Sequence, residues 1–151
     1  MKSEPDVYPW SQLVQDGSTH WDGVRNHQAR NMMRDDMAVG DLVLFYHSNT
    51  RPPHIAGIAR VCRDGYPDHT SWDEESRYFD VGSQPDEPRW YMVDIEPLQP
   101  FTRIVDLAEM RSNPALEGMP LLRRGQRLSV QPVSAEHFEE VCRMACIEVW
   151  Q

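Results

Sequence analysis

The sequence is short of several things, and each shortage closes off a class of protein. Lysine occurs once, at Lys2, so arginine supplies the rest of the 15 cationic residues. Cysteine occurs at three positions, Cys62, Cys142 and Cys146, an odd number without a CxxC pair. That pattern argues against a disulfide scaffold or a zinc knuckle. No apolar run approaches the roughly 20 residues that a membrane-spanning helix needs. The opening Met1-Lys2-Ser3-Glu4-Pro5-Asp6 lacks the apolar core of a secretory signal, so a cytoplasmic protein that starts here and has no membrane partner is expected. A Walker A loop, a GxGxxG turn, an HExxH helix and a G-x-S-x-G elbow are all missing. No catalytic residue, metal site or cofactor is therefore expected, and nothing in the sequence names a reaction.

What is present fits one folded domain spanning residues 1–151. The length suits a single core, and a hydrophobic share of 40 % is enough to fill one. Net charge is −9, from 24 acids against 15 bases, but the sign varies along the chain. Residues 24–63 carry six Arg against three acids, and residues 97–133 five Arg against three acids, whereas residues 64–96 hold ten acids against two Arg. General nucleic-acid coating depends on counterion release by many cations, so a chain this acidic is poorly suited to it. A local site lined by arginine stays open, because the planar guanidinium fork suits bidentate recognition and stacking.

Short strands dominate the reading. Asp41–His47 is apolar and aromatic, Ile55–Cys62 reads as its partner, and Arg89–Ile95 alternates as a third strand. Pro97–Arg103 is expected to continue around a bend, because proline is poorly tolerated in a central strand. Arg127–Val133 reads as a closing strand. Helices are short: one follows Pro9 and ends at Gly17, with Trp10, Leu13 and Val14 on one face, and a second covers His27–Asp35. Asp106 and Glu109 have capping-box spacing for a third at Leu107–Met110. Phe138, Val141, Cys142 and Ala145 form the apolar stripe of a fourth after Ser134. The sum is an α+β domain built round a small β-barrel of five to six strands with flanking short helices. Residues 64–88 form a long acidic excursion.

Three segments concentrate groups suited to a planar polar ligand: Lys2-Ser3-Glu4-Pro5, Trp21-Asp22-Gly23-Val24-Arg25-Asn26, and Phe45-Tyr46-His47-Ser48-Asn49. A base lifted from its stack needs an aromatic wall and fixed donors and acceptors for its edge. Trp21 offers the wall. Ser3, Asn26, Ser48 and the Gly23–Asn26 backbone, including Val24, offer edge contacts, and Arg25, Arg127 or Lys2 could hold a phosphate. Plain structural readings stand beside these: Trp21 and Trp90 as core, Asn26 as an N-cap, His47 as a local hydrogen-bonder.

These segments, with Ala29-Arg30-Asn31, Gly40-Asp41, Tyr66-Pro67-Asp68, Arg89–Asp94 and Arg127-Leu128-Ser129-Val130-Gln131-Pro132, resemble an EVE domain over nearly the whole chain. The resemblance implies a PUA-like fold and places the chain beside YTH domains, which read a methylated adenine in RNA. Lys2-Ser3 looks like the pair that opens the YTH pocket, and Trp21 like its first cage tryptophan. Members of the family are implicated in recognising modified cytosines in DNA. The implied site is Lys2, Ser3, Glu4, Trp21, Gly23, Val24, Arg25, Asn26, His47, Ser48, Arg127 and Ser129. The expected function is that of a binding module for modified nucleic acid, DNA or RNA, reading a methylated or hydroxymethylated base flipped into an aromatic and polar pocket. Two alternatives remain. One is a sensor taking a free nucleoside-like ligand in the same pocket; the other is an enzyme acting on a modified base, with Glu4, Asp22 or His47 as acid–base groups.

Overall fold

Six consecutive residues set the architecture. In strand β3 (Leu42–His47) every side chain after Leu42 is buried, which requires both faces of its sheet to be covered. Successive side chains point to opposite faces, and they join two separate cores. Leu44 and Tyr46 pack with Ile55, Ile58, Val105, Met110 and Val141 on one side. Val43 and Phe45 pack with Leu13, Ala29, Met33, Val61 and Ile95 on the other. A continuous apolar run in the sequence is thus the mark of a strand between two layers of helices.

The computed structural model describes residues 1–150. Five strands form one mixed sheet: β1 (Lys2–Ser3), β2 (Thr19–His20), β3, β4 (His54–Pro67) and β5 (Tyr91–Asp106), in the order β1-β3-β4-β5-β2. β1 pairs parallel to β3, and the other pairings are antiparallel. The β4–β5 ladder is interrupted by four register shifts, each of which bends and twists the ribbon. Pro97 and Pro100 lie opposite Ala59 and Gly57, beside two of these shifts. Proline has no N–H to give the ladder, so the strand continues around the expected bend as one long coiled element. At Gly57 a side chain would meet the Trp10 ring at 2.7 Å and the Gln99 carbonyl at 2.9 Å, so the bare backbone there lets helix and sheet approach.

Helix α1 (Trp10–Asp16) starts after Pro9 and stops at Gly17, whose φ of 77° few other residues adopt. Its Leu13 is fully buried, but Val14 is 54 % exposed and does not share the buried face. Helix α2 (His27–Asn31) runs on into a π-helical turn at Met32–Asp36. Helix α3 (Leu107–Arg111) carries the reciprocal cap between Asp106 and Glu109 that its spacing promises. Helix α4 (Ala135–Met144) is capped by Ser134 and buries Val141 and Cys142. No helix among the described residues is long and apolar enough to cross a membrane.

Two expectations are corrected. Residues 127–133 form no strand. Lys2 donates its N–H to the Ser129 carbonyl at 2.8 Å, but Pro132 offers no N–H and Val130 turns into the core, so the segment packs as irregular chain. The sheet consequently stays open instead of closing into a barrel, and its outermost strands are two residues long. The acidic excursion is also shorter and tighter than it reads, because β4 extends to Pro67. Asp68 N–H donates to the Trp90 carbonyl at 2.8 Å, the Ser71 and Ser83 hydroxyls lie 2.8 Å apart, and the Trp90 indole N–H donates to Asp80 at 2.6 Å.

Candidate functional site

On the face covered by α1 and α2, a cleft of about 590 Å³ opens between β1, the turn after it, the segment from β2 to Asn26, and the folded excursion. A second hollow of about 480 Å³ is floored by Met32, Met37, Leu42, Val133 and Phe138. That hollow is mainly apolar, with Asp36, Asp41 and Glu139 among its lining residues and no cationic side chain, whereas the cleft combines the rings of Tyr8, Trp21 and Tyr78 with carboxylates, hydroxyls and cations.

The segment Trp21–Asn26 is held from both ends. Trp21 N–H donates to the Val93 carbonyl at 2.8 Å, which continues the β2–β5 pairing by one residue. At the other end the Asn26 side-chain oxygen accepts from the N–H groups of Gln28 and Ala29, capping α2. Between them Gly23 adopts a φ of 79°, and a side chain there would strike the Tyr78 ring at 2.5 Å. Gly23 N–H donates to Asp68 at 2.9 Å. Glycine is thus required twice over, by conformation and by the close approach of Tyr78.

Arg25 is the brace of the whole wall. Its guanidinium donates to Asp68 at 2.9 Å and to the Tyr78 carbonyl at 3.1 and 2.7 Å. It also lies over the Tyr78 and Trp90 rings, 5.7 and 5.5 Å from their centroids. Asp68 is completely buried. Burial alone would push its carboxyl up, but hydrogen bonds from Thr70, Gly23 and Arg25 outweigh that and hold it below the usual carboxylate range. These bonds correct the expectation that Arg25 faces a phosphate. Its donors are already engaged in joining the acidic excursion to the floor of the cleft.

The Trp21 indole is half-buried and lines the cleft. It meets Tyr8 and Phe45 edge-on, with ring centroids 6.3 and 5.8 Å apart and interplanar angles of 88° and 83°. Ser3 is buried and donates its hydroxyl proton to the Tyr8 carbonyl, which fixes the Glu4–Tyr8 turn and leaves the Ser3 oxygen to act only as an acceptor. Tyr8 donates to Asp16 at 2.7 Å; burial is the main cause of its raised pKa. Lys2 donates to the Gln126 carbonyl at 3.1 Å, and burial lowers its pKa. On the opposite lip the Arg77 guanidinium stacks 4.8 Å from the Tyr78 centroid and donates to its hydroxyl.

Ten of the expected residues therefore share the cleft: Lys2, Ser3, Glu4, Trp21, Gly23, Val24, Arg25, Asn26, Arg127 and Ser129. His47 and Ser48 do not line it. His47 turns toward the start of α1, where its Nε2 accepts the Trp10 N–H at 3.0 Å. Its Nδ1 lies 3.2 Å from His54 Nε2, and His54 Nδ1 lies 2.7 Å from the Pro52 carbonyl. Only one tautomer chain satisfies all three contacts: both rings neutral, each with its proton on Nδ1. Burial, with the neighbouring His54, lowers the His47 pKa. Ser48 gives its backbone N–H to Ser3 at 2.9 Å and so supports β1 from behind. Sequence reasoning missed Tyr8, His20, Arg77 and Tyr78 as lining residues. An Arg-Tyr pair inside an acid-rich stretch was the available signal for the last two.

An open mixed sheet with short helices on both faces and a cleft beside its parallel edge defines a PUA-like domain. The family model described as EVE domain matches residues 1–144, and the chain belongs to that family. It is 41 % identical over 132 residues to human thymocyte nuclear protein 1, a match covering 82 % of this chain and 58 % of that protein. The chain thus spans little more than half the length of the curated relatives it matches. A Pseudomonas syringae protein solved by crystallography superposes with a TM-score of 0.91 at 41 % identity, covering 96 % of this chain and 97 % of that one. The crystal structure of human THYN1 protein in complex with 5-methylcytosine-containing DNA superposes with a TM-score of 0.88 at 36 % identity, covering 98 % and 96 %.

Proposed function

We propose that this domain binds DNA and takes a modified cytosine into the cleft, stacked on Trp21. The observation that carries the reading is the indole itself: it lines a cleft of about 590 Å³ and is propped edge-on by Tyr8 and Phe45. A rigid aromatic face of this kind replaces the stacking that a base loses on leaving a duplex. The likeness to a human protein crystallised with 5-methylcytosine-containing DNA supports the same reading.

Within the cleft, the polar groups suit the edge of a cytosine. The carboxylates of Glu4 and Asp22 can accept from an exocyclic amine. The Asn26 amide, whose oxygen caps α2, can donate from its NH2 to the ring nitrogen or carbonyl, and the Ser3 oxygen can accept from the same exocyclic amine. Selection of a single added methyl by apolar contact is worth about 1–3 kcal/mol. A hydroxymethyl that completes a polar contact gains further preference. We read the domain as a binding module; of the alternative acid–base groups, Glu4 and Asp22 line the cleft and His47 does not.

The test is a titration of matched duplexes, with and without one 5-methylcytosine, against wild type, Trp21→Ala and Trp21→Phe. Loss of one base–aromatic stack costs about 1–3 kcal/mol, or roughly ten- to a hundredfold in affinity. Trp21→Ala is expected to lose the preference for the modified duplex and Trp21→Phe to retain part of it. Equal affinity of the wild type for both duplexes would sink the proposal.

A further inference from the structure

The geometry points to the turn Arg123–Arg127 as a phosphodiester-binding arm on one lip of the cleft; the inference rests on the reading of the cleft as a DNA site. In a chain of net charge −9, the stretch from Gly118 to Ala135 contains three arginines and no Asp or Glu. Those arginines, Arg123, Arg124 and Arg127, are all exposed. Among the described residues none of their guanidinium groups has a hydrogen-bond or ion-pair partner. Most other arginines are committed elsewhere: Arg25, Arg34, Arg60, Arg89, Arg103 and Arg143 all stand in ion pairs.

The arm is built into the fold and is no loose tail. Arg123 N–H donates to the Pro120 carbonyl at 3.2 Å, and Gln126 N–H to the Arg123 carbonyl at 3.3 Å. Gly125 supplies the positive φ of 76° that the turn needs. The Gln126 side chain accepts from Leu128 N–H at 3.2 Å, and the Gln126 carbonyl accepts from Lys2 Nζ at 3.1 Å. Three residues on, the Ser129 carbonyl accepts the Lys2 backbone N–H. This chain of bonds seats Arg127 and Ser129 in the cleft wall and holds the backbone that carries Arg123 and Arg124, four and three residues before Arg127.

Cations that are exposed, unpaired and held in place beside a cleft are what sequence-independent backbone contact requires. With Arg25 buried in its ion pair, this arm is the main source of free positive charge on that side. It supplies affinity while the cleft supplies choice of base, and the two are separable by salt. Each phosphate neutralised contributes about 0.9 to the slope of log K against log salt for duplex DNA.

The experiment measures that slope with modified and unmodified duplexes for wild type, for R123Q/R124Q, which leaves the cleft-lining Arg127 in place, and for the charge-matched control R51Q/R63Q outside the cleft. The arm variant is expected to lose about tenfold in affinity for both duplexes at low salt and to reduce the slope by roughly one to two. Its ratio of modified to unmodified binding should stay at the wild-type value, and the control should change little. An arm variant whose slope matches wild type, while wild type still prefers the modified duplex, overturns the arm and leaves the base reading intact. So does a control that loses as much as the arm variant. Wild type with no preference for the modified duplex overturns the base reading; a slope still lowered by the arm variant would then leave the arm standing as a backbone contact.

Discussion

Asp68 shows how one side chain can decide the shape of a site it does not enter. Buried and anionic, it ties together Gly23, Arg25 and Thr70. Removing its charge leaves the Arg25 guanidinium partly buried and unpaired, so Asp68→Asn is expected to destabilise the fold by about 3 kcal/mol in urea denaturation. The pH dependence has a definite sign. The folded-state pKa is depressed, so the stabilisation is complete above the unfolded carboxylate value of about 4 and is lost as pH falls through the folded value. The gap between wild type and Asp68→Asn should therefore narrow on acidification below about pH 4. The Tyr66-Pro67-Asp68 motif was visible in the sequence, but nothing there shows that Asp68 reaches back 43 positions to Arg25. Trp21 and Asn26 were legible as residue types in a suggestive cluster; the half-buried placement of Trp21 was not, because it depends on Tyr8 and Phe45 from other segments.

Among the elements, the reciprocal cap of α3 needed only a four-residue window to be read, since Asp106 and Glu109 interact locally. Asp106→Ala should cost about 1 kcal/mol in thermal or urea unfolding. The histidine relay lies at the other extreme, joining α1, β3 and the start of β4 through contacts that no local pattern announces. Its Nε2 must stay unprotonated to accept from Trp10. A depressed histidine pKa gives stability that is full above the unfolded value of about 6.5 and is lost as pH falls through the folded value. Melting curves from pH 7.5 to 5 should show this fall in wild type and a flatter profile in His47→Gln. The closing strand expected at residues 127–133 failed for a related reason. Alternation and β-branched residues mark a segment fit to be a strand, but the partner edge at β1 is only two residues long.

At the scale of the whole molecule, the pairing of β3 with β4 was the most legible feature, because both runs are apolar and a short connection joins them. The open sheet with a core on each face was not legible, since a single core and a barrel were expected. The return of the acidic excursion to the cleft was not, since its anchors are non-local hydrogen bonds from Asp68, Asp80 and Arg25. Charge is arranged with the same long reach: the chain is acidic in total, yet three unpaired arginines stand together in one turn at a lip of the cleft. The bond between Lys2 and Gln126, 124 positions apart, carries a consequence for biosynthesis. Lys2 is synthesised 124 residues ahead of its partner, so a chain interrupted between the two has no second lip to close upon. Such non-local pairing is slow to form, and the cleft takes its shape only after the residues of both lips have been made.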